Sequence, residues 1–118
     1  MAKILVADDS RTSRRMLLDI IRTIGFDEII EATDGNDAVV KFDMHQPEIV
    51  TLDITMPGMD GIEVLKAIKE KNPSVKVVMI TAAAQSTKIM EAIKIGAEEF
   101  IAKPYEAAQV ESALKRLM

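Results

Sequence analysis

The sequence predicts a single α/β domain, a doubly wound (βα)₅ unit with its helices on both faces of a parallel sheet. Three observations carry that reading. Short apolar runs recur five times, at Ile4–Ala7, Ile29–Ile30, Ile49–Leu52, Val77–Ile80 and Phe100–Ala102. Helix-period stripes separate them. Turn and capping residues stand at the junctions. Three of the five runs are continuous, with bulky residues on both parities. A strand of that kind is covered on both faces, as strands of a parallel sheet are.

The elements follow in order. The first run closes on Asp8-Asp9, and Ser10 is placed to cap a helix striped by Leu17, Ile20, Ile21 and Ile24 and ended by Gly25. After the second run, Asp34 or Asn36 opens a weaker stripe of Ala38, Val39 and Phe42. The third run leads into Ile62, Leu65 and Ile68, stopped at Asn72-Pro73. Ser86 is a candidate cap for the stripe Ile89, Ala92 and Ile93, which Gly96 ends. The last run precedes Val110, Ala113, Leu114 and Leu117. Right-handed crossovers follow from the alternation. No internal repeat or linker interrupts it, so one domain over 1–118 is expected.

Composition narrows the function. The chain has 118 residues, 48% hydrophobic and 29% charged, in the range of ordinary globular domains. It has no cysteine and a single histidine, His45, which excludes disulfide scaffolds, thiol nucleophiles and multi-histidine metal centres. A net charge of −4 with no basic cluster beyond Arg14-Arg15 argues against direct nucleic-acid binding. No run approaches the length of a membrane span, and the start lacks a signal-peptide pattern, so a cytoplasmic protein is expected.

In open parallel sheets, chemistry gathers at the carboxyl ends of the strands. Here those ends read Asp8-Asp9, Asp53, Thr81 and Lys103-Pro104. Each alone has a bland reading, an aspartate as cap or turn former, a threonine or lysine as a solvated end. As a set they place three carboxylates, a hydroxyl and an amine on one edge. Carboxylates converging within about 5 Å repel by roughly 3 kcal/mol per pair at an effective dielectric of 20. A hard divalent cation removes that cost, and an all-oxygen site suits Mg²⁺. Lys103 is placed to pair with a phosphate, and one carboxylate to act as nucleophile toward phosphorus.

At this point the residues resemble the receiver domains of two-component response regulators, and within them the single-domain members that serve chemotaxis. The likeness rests on Asp8-Asp9, the segment Asp53-Ile54-Thr55-Met56-Pro57-Gly58-Met59-Asp60-Gly61, Thr81-Ala82, Gly96-Ala97 and Lys103-Pro104, and spans nearly the whole chain. The resemblance implies a flavodoxin-like sheet in the order 2-1-3-4-5. It implies Asp53 as phosphoacceptor, Asp8, Asp9, Asp53 and the Thr55 carbonyl around Mg²⁺, and Lys103, after a cis peptide, on the phosphoryl oxygens. Thr81 and Phe100 would switch, Ala82 would leave room beside the phosphate, and Thr55 and Ala83 would flank its entrance. It further implies a monomer with no turnover beyond its own phosphorylation and dephosphorylation. A histidine kinase would supply the phosphoryl group, and a downstream protein, the flagellar motor switch among the candidates, would read it.

Rival readings remain at this stage. A receiver cut from a longer regulator would look the same. A Mg²⁺-dependent aspartyl phosphatase of the haloacid dehalogenase type needs a second Asp two positions after the nucleophile, where this chain has Thr55. A flavodoxin needs a hydroxyl- and glycine-rich phosphate loop after the first strand, where this chain has two carboxylates. Other residues read blandly: Met16, Met79 and Met90 as core fillers, Tyr105 as a surface ring, His45 as solvated, Arg14-Arg15 as a solvated helix face. Phe100 reads equally as core.

Overall fold

The structure is a computed structural model and describes residues 3–26, 28–82 and 86–118. Five strands, β1 (Lys3–Ala7), β2 (Glu28–Ala32), β3 (Ile49–Asp53), β4 (Lys76–Thr81) and β5 (Glu99–Ala102), alternate with five helices. The helices are α1 (Arg11–Ile24), α2 (Gly35–His45), α3 (Gly61–Lys71), α4 (Ser86–Ile95) and α5 (Ala107–Arg116). All strand pairs are parallel, in the order β2-β1-β3-β4-β5.

Strand burial follows the apolar runs. The three central strands are buried almost throughout, whereas the edge strands β2 and β5 alternate or stay half-covered. Alternate residues feed two cores. Leu5, Val50, Leu52, Val77 and Met79 face Phe42, Ile62, Leu65 and Ile68 of α2 and α3, with Ala92 of α4. Ile4, Val6, Ile49, Val78 and Ile80 face Leu17 and Ile21 of α1 and Val110 and Leu114 of α5.

The helix ends show why the chain turns where it does. Ser10 and Asp34 cap α1 and α2 by accepting from the N–H groups of Ser13 and Asp37, so Asp34, and not Asn36, is the cap. Gly25 ends α1 at φ 103°, in the left-handed region that favours glycine. Asp60 and Glu63 form a reciprocal capping box on α3. Helix α4 already includes Ser86, and the position ahead of it lies outside the described residues.

Three apolar assignments are corrected. Met16 and Met90 are 53% and 60% exposed, and only Met79 of the three expected methionines is in the core. Ile93 is 53% exposed, so α4 turns mainly Ala92 inward. A flexible, polarisable methionine has no fixed preference for the inside, and α4 packs over one rim of its core rather than across it.

Candidate functional site

Sheet register brings the carboxylates together. Ala7 of β1 lies beside Leu52 of β3, so Asp8 and Asp53 leave neighbouring strands at the same level. Asp9 follows. One oxygen from each of Asp8, Asp9 and Asp53 lies within 4.8 Å of the others. Asp8 and Asp53 are buried, at 1% and 7% exposure, while Asp9 is exposed. Lys103 follows β5, two strands from β3, a gap of about 10 Å at the usual strand spacing. Its long side chain crosses that gap. Nζ donates to Asp53 Oδ2 at 2.8 Å and stands 3.7 Å from Asp8 Oδ2. The Lys103-Pro104 peptide is cis.

The electrostatics are unbalanced. One ammonium faces three carboxylates. Asp8 Oδ1 accepts the Ser10 N–H at 2.8 Å, but Oδ2 is buried with no hydrogen-bond partner among the described residues. Burial pushes the Asp8 carboxyl above its ordinary range, and the Asp53 carboxylate adds to this; the Ser10 N–H and Lys103 only partly oppose them. Lys103 loses hydration, yet its bond to Asp53 and the charge of Asp8 hold its ammonium above the usual value. Buried acids with an orphaned oxygen, close together and oxygen-only, suit a hard divalent cation.

The other expected residues lie around this group. Thr81 ends β4, is buried, and accepts the Lys103 N–H on its carbonyl at 2.7 Å. Phe100 pairs with Met79 across β4 and β5 and packs half-buried on the core that faces α2 and α3. Ala82 is exposed just beyond Thr81. The exposed Thr55 donates its N–H to Asp53 Oδ1 at 3.0 Å, orienting the carboxylate. Ala83 lies outside the described residues.

Glycines shape the loop from Asp53 to Gly61. A Cβ at Gly61 would overlap the carbonyl oxygen of Asp53, and a Cβ at Gly35 would overlap that of Met59. The first contact draws α3 against the end of β3. The second seats the loop on the start of α2.

Two surface expectations change. Tyr105 is half-buried, folded against α1 with its hydroxyl donating to Ser13 O at 3.4 Å. Arg14 is not solvated: Nη1 donates to Asp8 O at 2.8 Å and Nε to Glu31 Oε1 at 3.0 Å. It therefore braces the acid pair from behind, although its place one turn into α1 gave no sign of that. Asp60 was also missed. Besides capping α3 it pairs with Lys88 of α4 at 3.2 Å, tying the site loop to the next helix. His45 is half-exposed, 3.9 Å from Glu28.

A parallel sheet with this acid triad and lysine on its carboxyl edge defines a doubly wound α/β domain with an acidic site suited to a cation. Residues 4–115 match the response regulator receiver domain, and the chain belongs to that family. It is 46% identical over 98% of both chains to chemotaxis protein CheY of Listeria monocytogenes. It is 40% identical to chemotaxis protein CheY of Bacillus subtilis, covering 98% of this chain and 97% of that one. Among solved structures, the CheX–CheY–BeF3–Mg complex of Borrelia burgdorferi superposes with a TM-score of 0.92 at 37% identity, covering 98% of this chain and 88% of that chain. The chain is thus a CheY-like receiver domain of two-component signalling.

Proposed function

We propose that this protein is a phosphoacceptor switch. A histidine kinase passes it a phosphoryl group on Asp53, and the modified protein changes its affinity for a downstream protein. The carrying observation is the acid triad within 4.8 Å, with Lys103 on Asp53 at 2.8 Å. In the transfer, an Asp53 carboxylate oxygen bonds to phosphorus. The P–N bond of a phosphohistidine breaks, and its electron pair returns to the imidazole, which takes a proton from water. Lys103 then pairs with a phosphoryl oxygen. Thr81 offers a hydroxyl at the same edge, and Phe100 is placed to follow it.

Asp8, Asp9 and Asp53, with the Thr55 carbonyl, would hold Mg²⁺. When bound, the ion supplies positive charge against the phosphoryl oxygens. The orphaned Oδ2 of Asp8 supports this assignment. The aspartyl phosphatase reading is weaker, because Thr55 stands where such an enzyme needs a general acid.

The CheY relatives point to chemotaxis. The downstream protein would be the flagellar motor switch, or a protein related to the CheX that Borrelia CheY binds. A cytoplasmic location fits that role. Among the described residues no helix is long and apolar enough to cross a membrane. The test is incubation with acetyl phosphate and Mg²⁺, followed by intact-protein mass. One hydroxylamine-labile phosphoryl group is expected on the wild type and none on Asp53→Asn. Labelling of Asp53→Asn at the wild-type rate overturns the assignment.

A further inference from the structure

Four of the five arginines of this acidic protein lie on α1: Arg11, Arg14, Arg15 and Arg22. With Leu18 and Glu31 they line a cleft of about 310 Å³ between α1 and the edge strand β2. Four guanidinium groups thus surround a single carboxylate. That carboxylate is already spent, because Glu31 accepts from Arg14 Nε at 3.0 Å. Arg22 reaches Asp19 only through an exposed contact at 3.4 Å. Arg11 and Arg15 are exposed and, among the described residues, pair with no carboxylate.

Cations gathered in this way oppose folding. Arg11 stands three and four residues before Arg14 and Arg15, the spacings at which like charges on a helix repel. A shortage of acids does not explain it, since the chain has 19 acidic residues against 15 lysines and arginines. The excess is local. Leu18, buried at the floor of the cleft, supplies no counter-charge. An anion in the cleft would relieve the repulsion and take up the free donors of Arg11 and Arg15.

We propose that this cleft is a binding site for a compact polyphosphate, a small molecule with two or three linked phosphate groups, free or carried by a nucleotide. Arginine suits such a ligand because its planar, permanently charged fork pairs bidentately with phosphate. Linked phosphates offer several charged oxygens in a small volume, which matches several guanidinium groups around one small cleft. At about 310 Å³ the cleft lies at the small end of ligand cavities. Asp9 stands ahead of the arginines and Asp19 beside Arg22, so a longer phosphate chain, such as an oligonucleotide, runs into acids at both ends. Arg14 connects the cleft to the acid pair. Its Nη1 donates to Asp8 O at 2.8 Å, so a phosphate that competes with Glu31 for this guanidinium perturbs the backbone at Asp8. Binding does not depend on phosphorylation of Asp53.

The probe is sodium tripolyphosphate, titrated into the whole protein in metal-free buffer at constant ionic strength, so that no cation carries phosphate to the acid triad. Calorimetry and backbone NMR shifts follow binding. Saturable binding is expected, with shifts on α1, at Glu31 and at Asp8. Affinity should rise from phosphate through pyrophosphate to tripolyphosphate. Arg11→Gln/Arg15→Gln should weaken it about tenfold or more, as for loss of charge-assisted contacts. Lys115→Gln/Arg116→Gln, the same loss of charge on α5, should leave it unchanged. Thermal melting checks that both variants fold. ATP bound more tightly than tripolyphosphate assigns the ligand to a nucleotide; equal or weaker binding assigns it to the free phosphate chain. No saturation by about 10 mM, shifts that miss α1, undiminished binding to the α1 variant or an equal loss in the α5 variant overturns the proposal. So does tighter binding of citrate or of duplex DNA. Asp53→Asn should bind tripolyphosphate like the wild type, so failure of the phosphoacceptor reading leaves this test intact.

Discussion

At the amino edge of the sheet, Lys69 donates to Glu98 Oε2 and to Val75 O, both at 2.7 Å, and Glu98 Oε1 accepts the Val77 N–H at 2.8 Å. At the carboxyl edge, Lys103 is the ammonium among Asp8, Asp9 and Asp53. The two ends use the same chemical parts. The first joins one lysine to one carboxylate and spends the remaining bonding capacity on backbone, which fastens α3 to β4 and β5. The second carries an excess of negative charge and a buried oxygen that, among the described residues, has no hydrogen-bond partner and only a long ion pair to Lys103. A closed polar network rigidifies, whereas one left open costs stability until something binds it. The difference separates the part of the molecule that holds shape from the part that acts.

The largest effect expected from this contrast is a response to Mg²⁺. Binding to the native state at a hundredfold excess over Kd adds about 2.7 kcal/mol. Thermal melting should rise with Mg²⁺ in the wild type and hardly at all in Asp9→Ala; no rise in the wild type would remove the metal assignment. Next, Lys69→Met should cost about 1–3 kcal/mol in urea denaturation, below the fully buried range because Glu98 retains some exposure. Its amino-edge position predicts an unchanged phosphorylation rate, and an equal loss of rate would blur the contrast.

Asp8→Asn should do the reverse and stabilise the metal-free protein by about 1–2 kcal/mol at neutral pH, on the scale of a relieved buried polar group. The pH dependence has a definite sign. The folded carboxyl of Asp8 lies above its unfolded value of 3.8. Folded protein therefore takes up that proton first as pH falls, and the wild type recovers stability relative to the variant. The advantage of Asp8→Asn should shrink as pH falls from 7 toward 4, and a gap that widens contradicts the burial account. The smallest effect belongs to Thr51, whose buried hydroxyl has no partner among the described residues. Thr51→Val keeps the shape and should gain about 1 kcal/mol. A loss would show a hydrogen bond in solution.

Much of this was legible in the chain. Apolar runs on both parities marked the buried strands, and the acids at their ends marked the edge where the carboxylates converge, because parallel register carries neighbouring strand ends to one level. Strand order was not legible from pattern, since the alternation is the same for every order; the family resemblance supplied it. Lys69 and Glu98 look like ordinary surface charges 29 residues apart, and only the fold makes them partners. Tyr105 and Arg14 were misread for a related reason. Each is buried by an element distant in sequence, Tyr105 by α1 and Arg14 by β2. Met16 and Met90 failed because hydrophobic character does not tell which side of a helix is covered.

The contacts at Gly35 and Gly61 have a genetic consequence. Every missense change at a glycine codon introduces a Cβ, and at these two positions that atom overlaps a backbone oxygen rather than a yielding side chain. Selection on a saturation library should therefore leave both codons nearly fixed, as strictly as Asp53 under a screen for signalling. Only a screen for folding would tell them apart: Asp53 tolerates Asn there, and the glycines tolerate nothing.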